Sequence, residues 1–254
     1  MTDAAPNARP DTATADNVNP DDLRPALVAA ALAHVPFDGW SDATLRAAAA
    51  DTGTDLALAR ALFPRGGVDL VLAWHRQGDR AMEARLQAAG LTGMRYRDRV
   101  AFAVRTRIEV AGDREAVRRA AALLALPQHA PDGARALWDT ADAIWTALGD
   151  TSDDLNWYSK RATLSGVCSA TVLYWLGDES EGAAATWAFL DRRIEDVMRI
   201  EKAKAAVREN PFLRLAFAGP LWLAGQVRAP QRLPTVPLPG GWAPPGVPSA
   251  GDRR

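Results

Sequence analysis

Ser41-Asp42-Ala43-Thr44-Leu45-Arg46-Ala47-Ala48-Ala49-Ala50-Asp51-Thr52-Gly53-Thr54-Asp55-Leu56-Ala57-Leu58-Ala59-Arg60-Ala61-Leu62-Phe63-Pro64 is the stretch that decides the architecture. Ser41 is a good N-cap, because its hydroxyl can accept one of the unpaired N–H groups of a helix over Asp42–Asp51. Gly53 then makes a turn, and Thr54 caps a second short helix over Asp55–Phe63 that stops at Pro64. Two short helices meeting at a glycine have the layout of a helix-turn-helix. A helix from Leu23 to His34 precedes the pair, with Leu27, Ala30 and Ala31 on one face and Pro36 beyond its end. Gly66-Gly67 restarts the chain behind it, and Val68–Gln87 reads as a long helix carrying Leu70, Val71, Trp74 and Met82.

Outward from this unit the pattern stays helical. Apolar residues recur at helical spacing over Tyr96–Val110, Asp113–Leu126, Pro131–Leu148, Asn156–Leu176 and Gly182–Glu209. Leu137, Ala141, Ile144 and Leu148 share one face, as do Trp187, Leu190, Ile194, Val197 and Met198. Ala, Leu, Arg and Glu dominate and β-branched runs are scarce, so the expected class is all-α. The 254 residues are 48% hydrophobic, enough for a substantial core. Residues 1–22 read as a disordered acidic lead-in, with five aspartates against Arg9, unlike an Arg-rich transit peptide. Residues 229–254 read as a disordered Pro/Gly-rich tail.

The composition narrows the chemistry. HExxH, GxGxxG, Walker A, CxxC and GxSxG patterns are absent. His34, His75 and His129 lie apart, with no second histidine at metal-ligand spacing, and read as structural or exposed. Cys168 is the single cysteine, which rules out an internal disulfide, and its neighbours Leu164, Val167 and Val172 mark it as a buried small hydrophobe. No metal, cofactor or catalytic residue is expected.

The helix-turn-helix, with Phe63-Pro64 leading into a long fourth helix, resembles the TetR regulators, whose second short helix enters the DNA major groove. Its charge argues against that use. Between Ser41 and Leu70 the bases Arg46, Arg60 and Arg65 face the acids Asp42, Asp51, Asp55 and Asp69. The whole chain is at −1, with 30 basic and 31 acidic residues, whereas phosphate binding draws on a basic excess. The helix-turn-helix is therefore read as degenerate, and DNA is not the expected partner.

Four segments resemble the COQ9 family of ubiquinone biosynthesis: His34-Val35-Pro36-Phe37-Asp38-Gly39-Trp40-Ser41, Leu126-Pro127-Gln128-His129-Ala130-Pro131, Gly149-Asp150-Thr151-Ser152-Asp153-Asp154-Leu155-Asn156-Trp157-Tyr158-Ser159-Lys160-Arg161 and Thr186-Trp187-Ala188-Phe189-Leu190-Asp191-Arg192-Arg193-Ile194-Glu195-Asp196-Val197-Met198. The third is the most specific. The resemblance implies a TetR-like bundle, a homodimer, and a cavity for an isoprenoid quinone intermediate or phospholipid. It also implies a partner, the di-iron demethoxyubiquinone hydroxylase, met at the membrane. By the same resemblance, Ile144, Asp154, Trp157 and Tyr158 match the hydroxylase-binding patch. Lacking a presequence, the chain reads as a bacterial member, peripheral on the cytoplasmic face of the inner membrane.

The residues themselves leave alternatives open. Trp157 and Tyr158 are adjacent and face different ways on a helix, so both cannot be equally buried. An outward aromatic suits an interface, whereas an inward Trp157 would be core. Nine tryptophans among many alanines leave room either for a cavity or for a filled core. Candidate lining residues are Leu137, Val167, Leu173 and Phe189. Residues 210–228 read as an apolar, amphipathic C-terminal helix carrying Phe212, Leu213, Leu215, Phe217, Leu221, Trp222 and Leu223. It is too short to span a bilayer, but with Lys202, Lys204, Arg208, Arg228 and Arg232 beside it, it fits an anionic surface. The other reading packs it on its own domain or on a second protomer. The expected order is thus a lead-in (1–22), a helix-turn-helix region (23–75), a lipid-binding and dimerisation region (76–209), a membrane-associating helix and a tail.

Overall fold

The computed structural model describes residues 20–153 and 155–209. These form nine α-helices with short connections: α1 Pro20–Asp38, α2 Asp42–Asp51, α3 Leu56–Leu62, α4 Gly67–Ala88, α5 Tyr96–Ala111, α6 Arg114–Leu124, α7 Ala130–Ala147, α8 Leu155–Leu176 and α9 Ala184–Glu209. Among the described residues there is no strand.

Several helix ends differ from the expectation by one to four residues, and two of them have a clear physical cause. The first helix runs on through Pro36 to Asp38. Leu27, Val28, Ala31 and Val35 are all fully buried, and Arg119 Nη2 donates to the Pro36 carbonyl at 2.7 Å. Packing therefore outweighs the bond that Pro36 cannot make. The helix ends instead at Gly39, whose φ of +66° suits a residue without Cβ. The cap of α3 is Asp55 rather than Thr54: Asp55 Oδ1 accepts from Ala57 N at 2.8 Å and Leu58 N at 3.1 Å. Thr54 Oγ1 instead meets Thr52 Oγ1 at 2.8 Å.

The core has two centres. One gathers α1, α2, α3, the start of α4 and α6 around Leu27, Val35, Trp40, Leu45, Phe63 and Val71. The other gathers the rest of α4 with α5, α7, α8 and α9 around Met82, Val104, Ile144, Leu164 and Leu190. Helix α4 belongs to both, so it holds the helix-turn-helix to the larger bundle. Trp40 makes the joint: its Nε1 donates to the Ala116 carbonyl at 3.1 Å, and its ring packs on Trp74 with centroids 5.1 Å apart. A Cβ on Gly67 would fall 2.0 Å from the Trp40 carbonyl oxygen, so α4 can start this close only at glycine.

Gly67→Ala should therefore lower stability by about 1–3 kcal/mol in urea denaturation, because backbone atoms would have to move apart. Gly166→Ala, on the exposed side of α8 with open space around its Cβ, should raise it by roughly 0.5–1 kcal/mol. Equal midpoints for the two variants would contradict this account of the α4 joint.

Candidate functional site

A cavity of about 430 Å³ opens between α4, α5, α6, α7 and α8. Small residues make the room: Ala120, Ala121, Gly133, Ala134 and Ala136 stand where larger side chains would close it. Leu137 and Leu173 both line it, and Leu173 is 62% exposed, a wet-edged apolar residue. Val167 is core and lines a different cavity. Phe189 lines neither; it stacks on Tyr174 with centroids 4.6 Å apart.

One wall of the first cavity is polar. His75 Nε2 lies 2.8 Å from Thr140 Oγ1, and Thr140 Oγ1 lies 2.8 Å from Asp79 Oδ1. Arg107 Nε donates to Asp79 Oδ1 at 2.6 Å, and its Nη2 donates to the His75 carbonyl at 3.1 Å. Burial, then the Arg107 charge, brings the His75 pKa down to about 4, so the imidazole is neutral at physiological pH. Cys168 also borders the cavity, its thiol pushed up to about 12 by burial, so it is a thiol and not a nucleophile. The arrangement is an apolar chamber with one hydrogen-bonding wall, suited to a largely apolar molecule with a polar end. Sequence reading passed over this wall by treating His75 as isolated. The i, i+4 spacing of His75 and Asp79 on α4 was the available signal.

The Gly149–Arg161 segment builds a different kind of site. Arg161, 1% exposed, donates through Nε to Asp142 Oδ1 at 2.6 Å and through Nη1 to Asp150 Oδ2 at 3.3 Å. Lys160 Nζ and Ser152 Oγ reach Asp150 Oδ1 at 2.7 and 2.8 Å. Burial opposes ionisation of Asp150, but the hydrogen bonds from Lys160 and Ser152 outweigh it and hold the carboxyl below the usual carboxylate range. The Arg161 guanidinium lies 4.0 Å from the Trp157 ring centroid. Trp157 packs edge-on to Tyr158 at 4.8 Å, and both rings meet Trp138 of α7, at 5.8 and 6.2 Å.

The two adjacent aromatics thus share one cluster, each half-buried, which neither reading from the residues anticipated. Trp138 supplies the missing partner from another helix. Ile144 is a correction to the expected patch: it is fully buried in the core and has no surface to offer. Asp154, and the apolar run from Phe212 to Leu223 with Leu213, Leu215, Phe217, Leu221 and Trp222, lie outside the described residues.

The helix-turn-helix carries little that would grip phosphate. The outward residues of α3 are Ala57, Leu58, Arg60 and Ala61. Arg65 is held between Asp69 and Asp132, each at 2.9 Å. Among the described residues no helix is long and apolar enough to cross a membrane, and no group of three His, Cys, Asp or Glu could hold a metal ion.

Fold and cavity together define an all-helical, TetR-like bundle. A TetR transcriptional regulator from Nitrosomonas europaea superposes with a TM-score of 0.57, covering 69% of this chain and 97% of that one. At 21% identity this is a likeness of fold alone. Residues 130–201, which are α7, α8 and most of α9, match the COQ9 family model. The chain is 33% identical over 186 residues to the mitochondrial ubiquinone biosynthesis protein COQ9 of Drosophila melanogaster, over 71% of this chain and 57% of that protein. It is 32% identical to the rat protein and 30% to the human one, each over 77% of this chain, and over 65% and 64% of those proteins. The chain belongs to the COQ9 family. It spans about three-fifths of the length of these relatives.

Two outcomes follow from the buried polar groups. Asp150→Ala should cost about 3 kcal/mol, read by urea denaturation, because it leaves the buried Arg161 and the half-buried Lys160 short of a carboxylate; an unchanged midpoint would remove Asp150 from the centre of this ion cluster. His75 has a folded pKa below its unfolded one, so its contribution is intact above about pH 6.5 and is lost as pH falls toward 4. His75→Gln should flatten the stability–pH curve between those values, and an identical slope in both proteins would count against a neutral His75.

Proposed function

We propose that this chain is a non-catalytic accessory protein of ubiquinone biosynthesis, the pathway its COQ9 relatives are named for. It holds an isoprenoid quinone intermediate or a phospholipid in the 430 Å³ cavity and presents the demethoxyubiquinone-type intermediate to the di-iron hydroxylase. The observation that carries this is the cavity itself. Its lining is mostly apolar and includes Leu137 and Leu173, and the His75–Thr140–Arg107 wall is the polar end against which a ring oxygen or headgroup would lie.

The hydroxylase docks on the face made by Trp157 and Tyr158, with Asp154, a few residues away in the sequence, as a further contact. A half-exposed aromatic cluster braced by an arginine has the character of an interface hot spot. Residues 76–209 serve lipid binding and dimerisation, and the exposed Leu173 and Tyr174 on α8 offer an apolar face to a second protomer. Residues 210–228 associate with the membrane, through Phe212, Leu213, Leu215, Phe217, Leu221, Trp222 and Leu223, on the cytoplasmic face of a bacterial inner membrane. A transcriptional regulator is the competing reading, but the single outward base of α3 supports the accessory role.

The test is the quinone profile of a strain lacking this gene, read by extraction and mass spectrometry. Demethoxyubiquinone should accumulate and ubiquinone should fall. The intact gene should reverse this, whereas Ala121→Trp, which fills the cavity from a half-buried wall position, should restore less than about a tenth of the ubiquinone, the scale of one lost well-packed contact. A normal profile in the deletion strain would overturn the accessory role, and full rescue by the filled variant would overturn the cavity.

A further inference from the structure

Besides the first cavity, and a second that Trp145, Leu164 and Val167 line between α5, α7, α8 and α9, there is an open groove of about 360 Å³. It lies where the end of α5 and the start of α6 face the turn between α8 and α9. Ile108, Trp175, Ala183 and Trp187 give it apolar walls, and Glu109 and Arg114 are its charged lining residues. Ile108 and Trp175 also line the first cavity, so they form the partition between the two spaces.

Arg114 is half-buried, and its guanidinium lies 4.9 Å from the Trp175 ring centroid. Its Nη1 donates to the Asp178 carbonyl. Charges withdrawn from water are paired as a rule, and Arg107, Arg119 and Arg161 each hold a carboxylate. Among the described residues Arg114 holds none, because the carboxylates around it are engaged elsewhere. Asp113 accepts from Glu115 N at 2.7 Å and Ala116 N at 3.2 Å at the start of α6. Asp178 accepts from Ser180 N at 2.9 Å and Thr186 N at 2.8 Å, so it offers Arg114 its carbonyl alone. Glu115 is taken by Arg118 and Arg119.

A guanidinium has five N–H donors in one plane, and stacking on an indole fixes that plane. Its unused edge is shaped for a carboxylate, which can accept two parallel hydrogen bonds. The charge count sets the valence. Glu109 is bound to Arg105 at 2.7 Å, so the groove is left with the single positive charge of Arg114. Glu179 and Glu181 are exposed on the same turn and do not line the groove, and they disfavour anything more negative than a monoanion. Trp187 supplies a fixed flat wall, since its Nε1 donates to the Gly182 carbonyl at 2.9 Å and Arg105, outside the groove, lies 4.7 Å from its ring centroid. Ligand sites commonly measure about 300–1,000 Å³, so this groove has room for one ring and its substituents.

We propose that this groove binds a small aromatic carboxylate, its carboxylate on Arg114 and its ring against Trp187. The site does not rest on the role of the first cavity and would survive the failure of that reading.

The experiment follows indole N–H resonances of the full, nitrogen-15-labelled chain during titration with benzoate. Benzamide keeps the ring without the charge, and acetate keeps the charge without the ring. The Trp187 signal, the one missing from Trp187→Phe, should move and saturate with benzoate. Benzamide should bind about 10-fold more weakly, the worth of one charge-assisted hydrogen bond, and acetate should also bind more weakly for want of a ring to pack on the indole. Arg114→Gln should reduce benzoate to the affinity of benzamide. Glu109→Gln, at an exposed position, removes a negative charge and releases Arg105, so it should tighten benzoate about 2- to 5-fold and leave benzamide unchanged. That variant keeps the test decisive even if Arg114→Gln fails to fold. A Trp187 resonance that stays still, benzamide or acetate binding as tightly as benzoate, undiminished binding by folded Arg114→Gln, or no gain from Glu109→Gln would each overturn the proposal.

Discussion

Arg161 has almost no contact with solvent, and its guanidinium is held between the carboxylates of Asp142 on α7 and Asp150 just beyond it. A buried charge this far from water is tolerated when paired and hydrogen-bonded, and such a pair specifies one geometry more than it adds stability. Here the geometry is the register of α8 against α7. The same two helices then present Leu137, Thr140 and Cys168 to the first cavity, and Trp145, Leu164 and Val167 to the second. Sliding α8 by a turn would separate Arg161 from Asp142 and dismantle both chambers. The ion cluster also explains why Trp157 and Tyr158 stand together at the surface, because the guanidinium backs one ring and Trp138 meets both.

Helix α4 supplies the second constraint. It runs from the helix-turn-helix core into the main core, and its middle turn carries His75 and Asp79. There the apolar stripe is interrupted by a polar seam that Arg107 and Thr140 complete from α5 and α7. His75 Nε2 faces the Ala136 carbonyl and the Thr140 hydroxyl, whose own proton points to Asp79, so the neutral imidazole carries its proton on Nε2 and leaves Nδ1 as an acceptor. A chamber that is apolar everywhere else would hold a ligand without orienting it, whereas one hydrogen-bonding wall gives it a direction. Gly78, one residue from Asp79, keeps the space in which the Arg107 guanidinium lies.

The amino-terminal helices have a TetR-like fold, and their outward surface carries little free positive charge. Asp55 is spent on capping α3, Arg65 is spent on Asp69 and Asp132, and the outward face of α3 is mostly alanine and leucine. Their apolar residues remain essential, since Trp40, Leu45 and Phe63 fill one of the two core centres. Packing thus fixes the shape, and the charges on the surface are set independently of it.

Caps, glycine turns and apolar spacing are properties of residues a few positions apart, so the helices and their order were readable directly from the chain. Ser41 caps α2 as expected, and the glycine at 53 separates α2 from α3. Pro36 misled because the packing that carries α1 past it comes from α6, far away in sequence. The apolar face shared by Leu137, Ala141 and Ile144 was visible too, and that face argued for the buried Ile144 that the structure shows. What no local pattern could settle is which faces meet. Whether Trp157 stands on a surface, whether His75 has partners, and whether alanines leave a cavity all depend on how helices rotate about their axes and slide past one another. Those choices are made by contacts between residues tens of positions apart, such as Arg107 with Asp79 and Arg161 with Asp142, and only the tertiary structure decides them.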